Sequence, residues 1–198
     1  IDLDPQAHLS GILGGSPPHA EDSIFDFFVH NKPLFSLLRK TRKFAESAGE
    51  AIVWRRFQTP EEMAAFHTTA RLISARTYQE QLLDAGLPET PEFLREMEDA
   101  ARAGLVRGYL LFHGETPAAY AYCKASGRSL TYELLGHDPA FQHLSPGSVL
   151  LYHILEDLFE QESFEYFDFG GGEAGYKAFF CTVSVRCADV YYFRKTVT

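Results

Sequence analysis

The sequence predicts an α/β domain built on a mixed sheet, an antiparallel meander followed by a parallel strand pair, with helices on both faces. Three observations carry that expectation. After Gly104 come three short β-type runs, Leu105 to Phe112, Ala118 to Cys123 and Leu130 to Leu135. They are separated by the turn signals His113-Gly114-Glu115-Thr116 and Ala125-Ser126-Gly127-Arg128, which are short enough for hairpins. Before them, Thr59-Pro60-Glu61-Glu62 and Thr90-Pro91-Glu92 each combine a capping Thr, a Pro at the first helical position and early acids, the signature of a helix start. After them, Gly136 to Lys177 reads as strand end, loop, apolar helix, aromatic strand, glycine turn and a second helix start. A strand reached through a helical crossover is parallel to its sheet neighbour, and helices on both faces bury such a sheet.

Taken in order, residues 1–33 read as a helical arm or as the remnant of an upstream domain, and 34–198 as the domain proper. Leu34 to Ala48 is expected to be a basic amphipathic helix with Leu34, Leu37, Leu38 and Phe44 as its apolar stripe, stopped by Gly49. Ala51 to Phe57 reads as a strand. The helix from Thr59 is expected to reach about Gln79, and the one from Thr90 to end near Gly104. The loop Asp138 to Ser148 leads into a helix carrying Val149, Leu151, Tyr152, Ile154, Leu155, Leu158 and Phe159. Phe164 to Phe169 is the parallel strand, about Glu173 to Phe180 a helix, and Val185 to Phe193 a last strand.

Composition narrows the partners. With 198 residues, 45% hydrophobic and 23% charged, the chain is long enough for a full core. Seventeen Phe and ten Tyr make that core aromatic-rich. A formal net charge of −9 disfavours nucleic acid as the main partner. One stretch runs against it: Lys32, Arg39, Lys40, Arg42 and Lys43 contain no acid among them. It reads either as a solvated helix face or as a docking patch for an anionic partner or cofactor tail. Cys123, Cys181 and Cys187 have no paired spacing, as expected for free thiols in a reducing compartment, the cytoplasm. No apolar run is long enough to span a membrane, and the start lacks a signal-peptide pattern. The first residue is Ile1, so a fragment or trimmed form is expected.

The loop Leu144-Ser145-Pro146-Gly147-Ser148 delivers the chain to a helix N-terminus. There the first N–H groups lack internal partners and sit at the positive end of the helix dipole. Gly147 lets the backbone approach a bulky ligand, and Ser148 can cap or donate a hydroxyl. The arrangement reads as an ordinary capped helix or as an anion cradle. The histidines show no metal-ligand spacing, since His153 and Glu156 are only three apart on a helix. There is no GxSxG elbow, no Walker motif and no dinucleotide fingerprint.

The order of elements resembles the GNAT N-acyltransferase fold, and two motifs sharpen the likeness. FDFGGGEAGYK, Phe167 to Lys177, resembles the FDFGxGxxxYK signature of the BioF2-like acetyltransferase branch, related to the FemAB-type transferases. GHDPAFQHLSPGSVLLYHIL, Gly136 to Leu155, is similar to that branch's strand–loop–helix segment. The resemblance covers roughly Leu34 to Thr196. It implies an acyl-CoA or acetyl-CoA donor lying between the last meander strand and the parallel strand, its pyrophosphate on the loop before the helix. Against the family's Gln/Arg-x-x-Gly-x-Gly/Ala loop, Gln142 and Gly147 fit, Ser145 stands at the first Gly, and Pro146 removes one N–H donor.

Acyl transfer to an amine needs a base, an oxyanion donor and an acid for the leaving thiolate. The resemblance places the oxyanion donor on the backbone within Tyr132 to Leu135, and it points to Tyr176 as the acid. Asp168, Glu133 and His137 are the rival bases: Asp168 lies between two Phe, Glu133 on the central strand, and His137 at its end with a suitable pKa. Leu135, Gln142, Ser145, Gly147, Ser148 and Lys177 are the expected donor-binding residues, with no metal. The acceptor is a small-molecule or peptidyl amine: an amino acid, an amino sugar or a peptidyl group. Arg76 to Thr90 and the C-terminal strands are expected to shape its pocket. An acyl-carrier protein as donor, an aminoacyl-tRNA donor of FemAB type bound through the basic run, and a non-catalytic binding domain are the alternatives.

Overall fold

Helix α1, Lys32–Ala48, opens the structure, a computed structural model that describes residues 32–49, 51–77, 80–81, 86–172, 174–186 and 191–192. The expected N-terminal arm and most of the expected strand Val185 to Phe193 lie outside those residues. Of the latter, residues 185, 186, 191 and 192 are described and are not in a strand.

Strand β1, Val53–Phe57, follows, then α2, Pro60–Ser74, and α3, Pro91–Arg102. Both Thr-Pro signals start a helix, the first held by the reach-back of Glu62 and the second by its capping threonine. The Glu62 carboxylate accepts from the Thr59 N–H at 3.0 Å and the Gln58 N–H at 2.8 Å. These backbone donors lower its pKa. Thr90 Oγ1 accepts from the Phe93 N–H at 3.2 Å. α2 is shorter than expected, ending at Ser74 rather than near Gln79. Beyond it, Arg71 pairs with Glu80 at 2.7 Å, and Ser74 Oγ donates to the same carboxylate at 2.6 Å. Side chains there hold the turn at 75–77 that interrupts the helix, and residues 80 and 81 are helical again.

The meander forms as read: β2, Val106–His113; β3, Thr116–Ser126; β4, Ser129–His137. A 3₁₀ helix, Pro139–Leu144, leads into α4, Pro146–Gln161. Strand β5, Tyr166–Asp168, and helix α5, Gly175–Phe180, complete the described elements. The sheet order is β1-β2-β3-β4-β5, antiparallel except for the parallel pair β4·β5.

The sheet separates two cores. On one face α1 and α4 bury Leu37, Phe44, Val149, Ile154 and Leu158 against Tyr109, Leu111, Ala121, Leu130 and Phe167. On the other, α2 and α3 bury Met63, Phe66, Ile73 and Met97 against Val106, Leu110, Tyr120 and Tyr122. A buried charge cluster ties α4 to the sheet. The Asp157 carboxylate accepts from Arg56, from Tyr109 Oη at 2.9 Å and from Gln161 Nε2 at 2.7 Å. Arg107, with its guanidinium over the Phe164 ring, lies 3.8 Å away. Removing one partner of a buried charge set strands the others. Asp157→Ala is therefore expected to lower stability by about 3 kcal/mol, read from urea unfolding. A loss within about 0.5 kcal/mol, the size of an ordinary surface change, would show that the cluster carries no such weight.

Candidate active site

The site begins where β4 loses its partner. Parallel pairing runs from Ser129↔Tyr166 to Thr131↔Asp168 and stops. β4 continues to His137, so the β5-facing edge of residues 132–137 pairs with no strand among the described residues. The cause is local. Gly170 and Gly172 adopt φ of 68° and 82°, a region favourable to glycine. The Asp168 carboxylate accepts from the Gly170 N–H at 2.8 Å, an Asx turn. Lys177 Nζ donates to the Gly170 carbonyl at 3.1 Å and to the Gly171 carbonyl. Together they turn the chain away from β4 after three strand residues, where the sequence predicts six.

A bulge in β4 faces this gap. Tyr122 pairs with Leu134 and Cys123 with Tyr132, leaving Glu133 without a register partner. The extra residue reverses the side-chain alternation: Leu130 and Tyr132 face the α4 core, Leu134 the opposite one, and Leu135 the α4 core again. Glu133 itself is exposed, 3.5 Å from Lys124 Nζ.

The predicted site residues fall into two groups. Tyr132 and His137 are five strand residues apart, roughly 16 Å at the usual rise. At the Tyr132 end stands Tyr176 of α5, its ring edge-on to Tyr132 at 6.4 Å and to Phe169 at 6.0 Å. Burial raises the pKa of the Tyr176 phenol. Glu133, Asp168 and Lys177 belong to this end. Asp168 is exposed and engaged in the turn, and Lys177 clamps the glycine loop.

At the other end are His137, Gln142, Ser145, Gly147 and Ser148. Ser145 sits in the left-handed region, φ 56° and ψ 49°, where the family pattern has glycine. Its N–H is used by the Gln142 carbonyl at 3.0 Å, and its own carbonyl accepts from Ser148 at 3.0 Å and Val149 at 3.2 Å. Pro146 has no N–H, so Gly147 presents an amide with no acceptor among the described residues. α4 starts at Pro146, three residues earlier than Val149, which puts Gly147 and Ser148 in its first turn. Leu135 lies between the two groups on the open edge, half-buried.

Two geometric features of the site go beyond what the sequence showed. Lys40 Nζ reaches Ser148 Oγ at 3.4 Å, and Lys43 Nζ donates to the His143 carbonyl at 3.0 Å. The basic run was visible, but its contact with the loop depends on α1 packing on α4. Nor did the strand pattern mark Glu133 as a bulge.

His137 lies at the mouth of the loop: a Cβ placed on Gly147 would sit 3.9 Å from its Nδ1. Burial lowers its pKa below the ordinary 6.5, with Asp138 partly opposing. His153 is lowered in the same way, with Glu156 opposing. Below 6.5 the unfolded chain therefore binds more protons at these two sites than the folded one, so their contribution to stability rises with pH. It is complete above pH 6.5 and is lost as pH falls through the folded pKa values. The melting temperature is expected to drop from pH 7.5 to 5, and His137→Asn to flatten part of that slope. A variant slope equal to that of the wild type would contradict the assignment.

No curated protein matches the chain. Among solved structures, an aminoglycoside acetyltransferase from an uncultured soil metagenomic sample, in complex with sisomicin, aligns with TM-score 0.51 at 13% identity. The alignment covers 73% of this chain and 97% of that one. A domain from Agrobacterium fabrum, assigned as the C-terminal domain of a lysylphosphatidylglycerol synthetase, aligns with TM-score 0.52 at 13% identity. That match covers 72% of this chain and 42% of the other, so this chain spans about two fifths of that relative's length. At such identities the likeness is one of fold. Residues 36–178 match the family model of the acetyltransferase (GNAT) domain, a segment running from α1 into α5, and the chain therefore belongs to the GNAT acetyltransferase family.

Proposed function

We propose that this domain moves an acyl group from acyl-CoA, acetyl-CoA being the simplest donor, to a primary amine. One observation carries the reading. Among the described residues, the edge of β4 left unpaired beyond Thr131 has an anion-type helix start at one end and the half-buried Tyr176 at the other. A donor with a diphosphate, an amide-bearing arm and a thioester meets three matching surfaces in that order. The Gly147 amide and the first turn of α4 face the diphosphate. The exposed backbone edge of residues 132–137 can pair with amides of the arm, as an added strand does. The thioester end then lies beside the bulge and Tyr176.

The donor supplies the activated acyl group. The chain supplies position and protons. A backbone N–H near the bulge stabilises charge on the acyl oxygen. Tyr176, held protonated by burial, gives its phenolic proton to the departing thiolate. Glu133, exposed at the bulge beside Tyr132, is the base favoured by position for the amine proton, directly or through water. His137 stands at the diphosphate end, and Asp168 acts through the turn. The BioF2-like motif and a cytoplasmic setting belong to the same reading.

The metagenomic neighbour is an aminoglycoside acetyltransferase, which puts amino sugars first among the expected acceptors to test, beside amino acids and peptidyl amines. The assay is release of free CoA thiol from acetyl-CoA and from longer acyl-CoAs with a panel of these amines. Amine-dependent release supports the reading. No release with any pair, together with no donor binding, removes it in favour of a binding domain.

A further inference from the structure

The cations of α1 gather at one place. Arg39, Lys40, Arg42 and Lys43 line a cavity of ≈ 510 Å³, with His143 and Ser145 among its other lining residues. Buried Leu37 and Phe44 fix α1 against the α4 side of the sheet, and the Lys40–Ser148 and Lys43–His143 contacts set its basic face beside the loop. Among the described residues one acid lines the cavity, Glu46, and it pairs with Arg42 at 3.2 Å. Arg39 has no acid in ion-pair range among the described residues. In a chain of net charge −9, the gathering of Arg39, Arg42 and Lys43 with Lys40 around a single hollow forms a local anion-binding field. The hollow lies within the size range of small-molecule sites, and its lining continues through Ser145 into the helix start that carries the Gly147 amide.

We propose that this cavity is a phosphomonoester pocket that receives the 3′-phosphorylated nucleoside end of the donor. The proposal rests on the acyl-CoA reading above and deepens it. A phosphomonoester carries roughly −1.5 to −2 charges at neutral pH. Arginine forks bind such a group through paired N–H bonds, and lysines bind it as point charges. The guanidinium planes and the His143 ring also offer stacking surfaces for a base. The pocket lies one loop away from the diphosphate cradle, the position a nucleoside attached to that diphosphate would take.

The test compares CoA with dephospho-CoA, which lacks only the 3′-phosphate, by calorimetry at fixed salt. The full chain and the Arg39→Gln/Lys43→Gln variant are both titrated, with melting temperatures as the fold control. The wild type is expected to bind CoA about 10–100-fold more tightly than dephospho-CoA, the scale of one or two charge-assisted hydrogen bonds. The variant is expected to bring that ratio close to one. Equal wild-type affinities for both ligands overturn the pocket and leave the acyl-CoA reading standing. Failure of both to bind overturns the two together. If the variant leaves the ratio unchanged but weakens retention of acyl-carrier protein or tRNA, the patch belongs to a macromolecule and the proposal is wrong.

Discussion

Tyr176→Phe is expected to lower kcat by about 10²–10⁴-fold, the range of a lost general acid, with little change in KM for the donor. The substitution keeps the ring that packs edge-on against Tyr132 and Phe169 and removes only the hydroxyl. Fold and donor binding should therefore survive, and the loss should fall on the step that needs a proton. The phenol suits that step because burial raises its pKa, so it still carries its proton at the pH where an amine acceptor begins to lose its own. A donor with a leaving group that needs no proton should restore much of the lost rate, a rescue that a purely structural tyrosine would not show. Steady-state kinetics with both donors decides it. A kcat within about threefold of wild type would be too small for lost acid catalysis and would remove Tyr176 from the chemistry.

Gly147→Glu is expected to weaken donor binding by on the order of 100-fold or more, since a carboxylate beside a bound diphosphate opposes it by about 3 kcal/mol. The fold should accept the change. An added Cβ meets nothing closer than His137 Nδ1 at 3.9 Å, and Gly147 is not among the positive-φ residues. An acid in the first turn of a helix is if anything stabilising, by a few tenths of a kcal/mol. Lost binding in a protein with unchanged melting temperature would thus report on the cradle itself. Gly147→Ala separates volume from charge and should cost far less. Calorimetric affinities for CoA across the three proteins give the comparison. Equal affinities would place the diphosphate elsewhere.

Much of this architecture was legible because local signals and periodicity agreed. The Thr-Pro starts, the hairpin turns and the apolar stripe of α4 each follow from short-range physics, and each formed where the sequence placed it to within a few residues. The discrepancies share a different cause. α2 stops at Ser74 because Arg71, Ser74 and Glu80 build a side-chain network across the following turn. β5 is three residues long because Asp168 and Lys177 fold the chain back through Gly170 and Gly171, contacts no strand pattern contains. Among the described residues, the unpaired stretch of β4 that the proposed function needs follows directly from that shortening.

Within the candidate site, residue types were legible and distances were not. Tyr176, Glu133 and His137 were grouped as one acid–base set, yet the length of β4 assigns His137 to the opposite end from Tyr176. Asp168 and Lys177 carry charge suited to chemistry, but here both hold the glycine loop. Ser145 at the family's glycine position was visible as a departure. That the position is left-handed, φ 56°, is what explains the glycine preference. The reach of α1 to the loop arises from packing between segments about a hundred residues apart, which composition cannot encode.

The most direct test of the whole account is a crystal structure of the protein with CoA. The diphosphate is expected within hydrogen-bonding distance of the Gly147 amide, the arm along the edge of residues 132–137, and the sulfur beside Tyr176. A complex with CoA bound elsewhere, or with that edge covered by the protein's own chain, would contradict it.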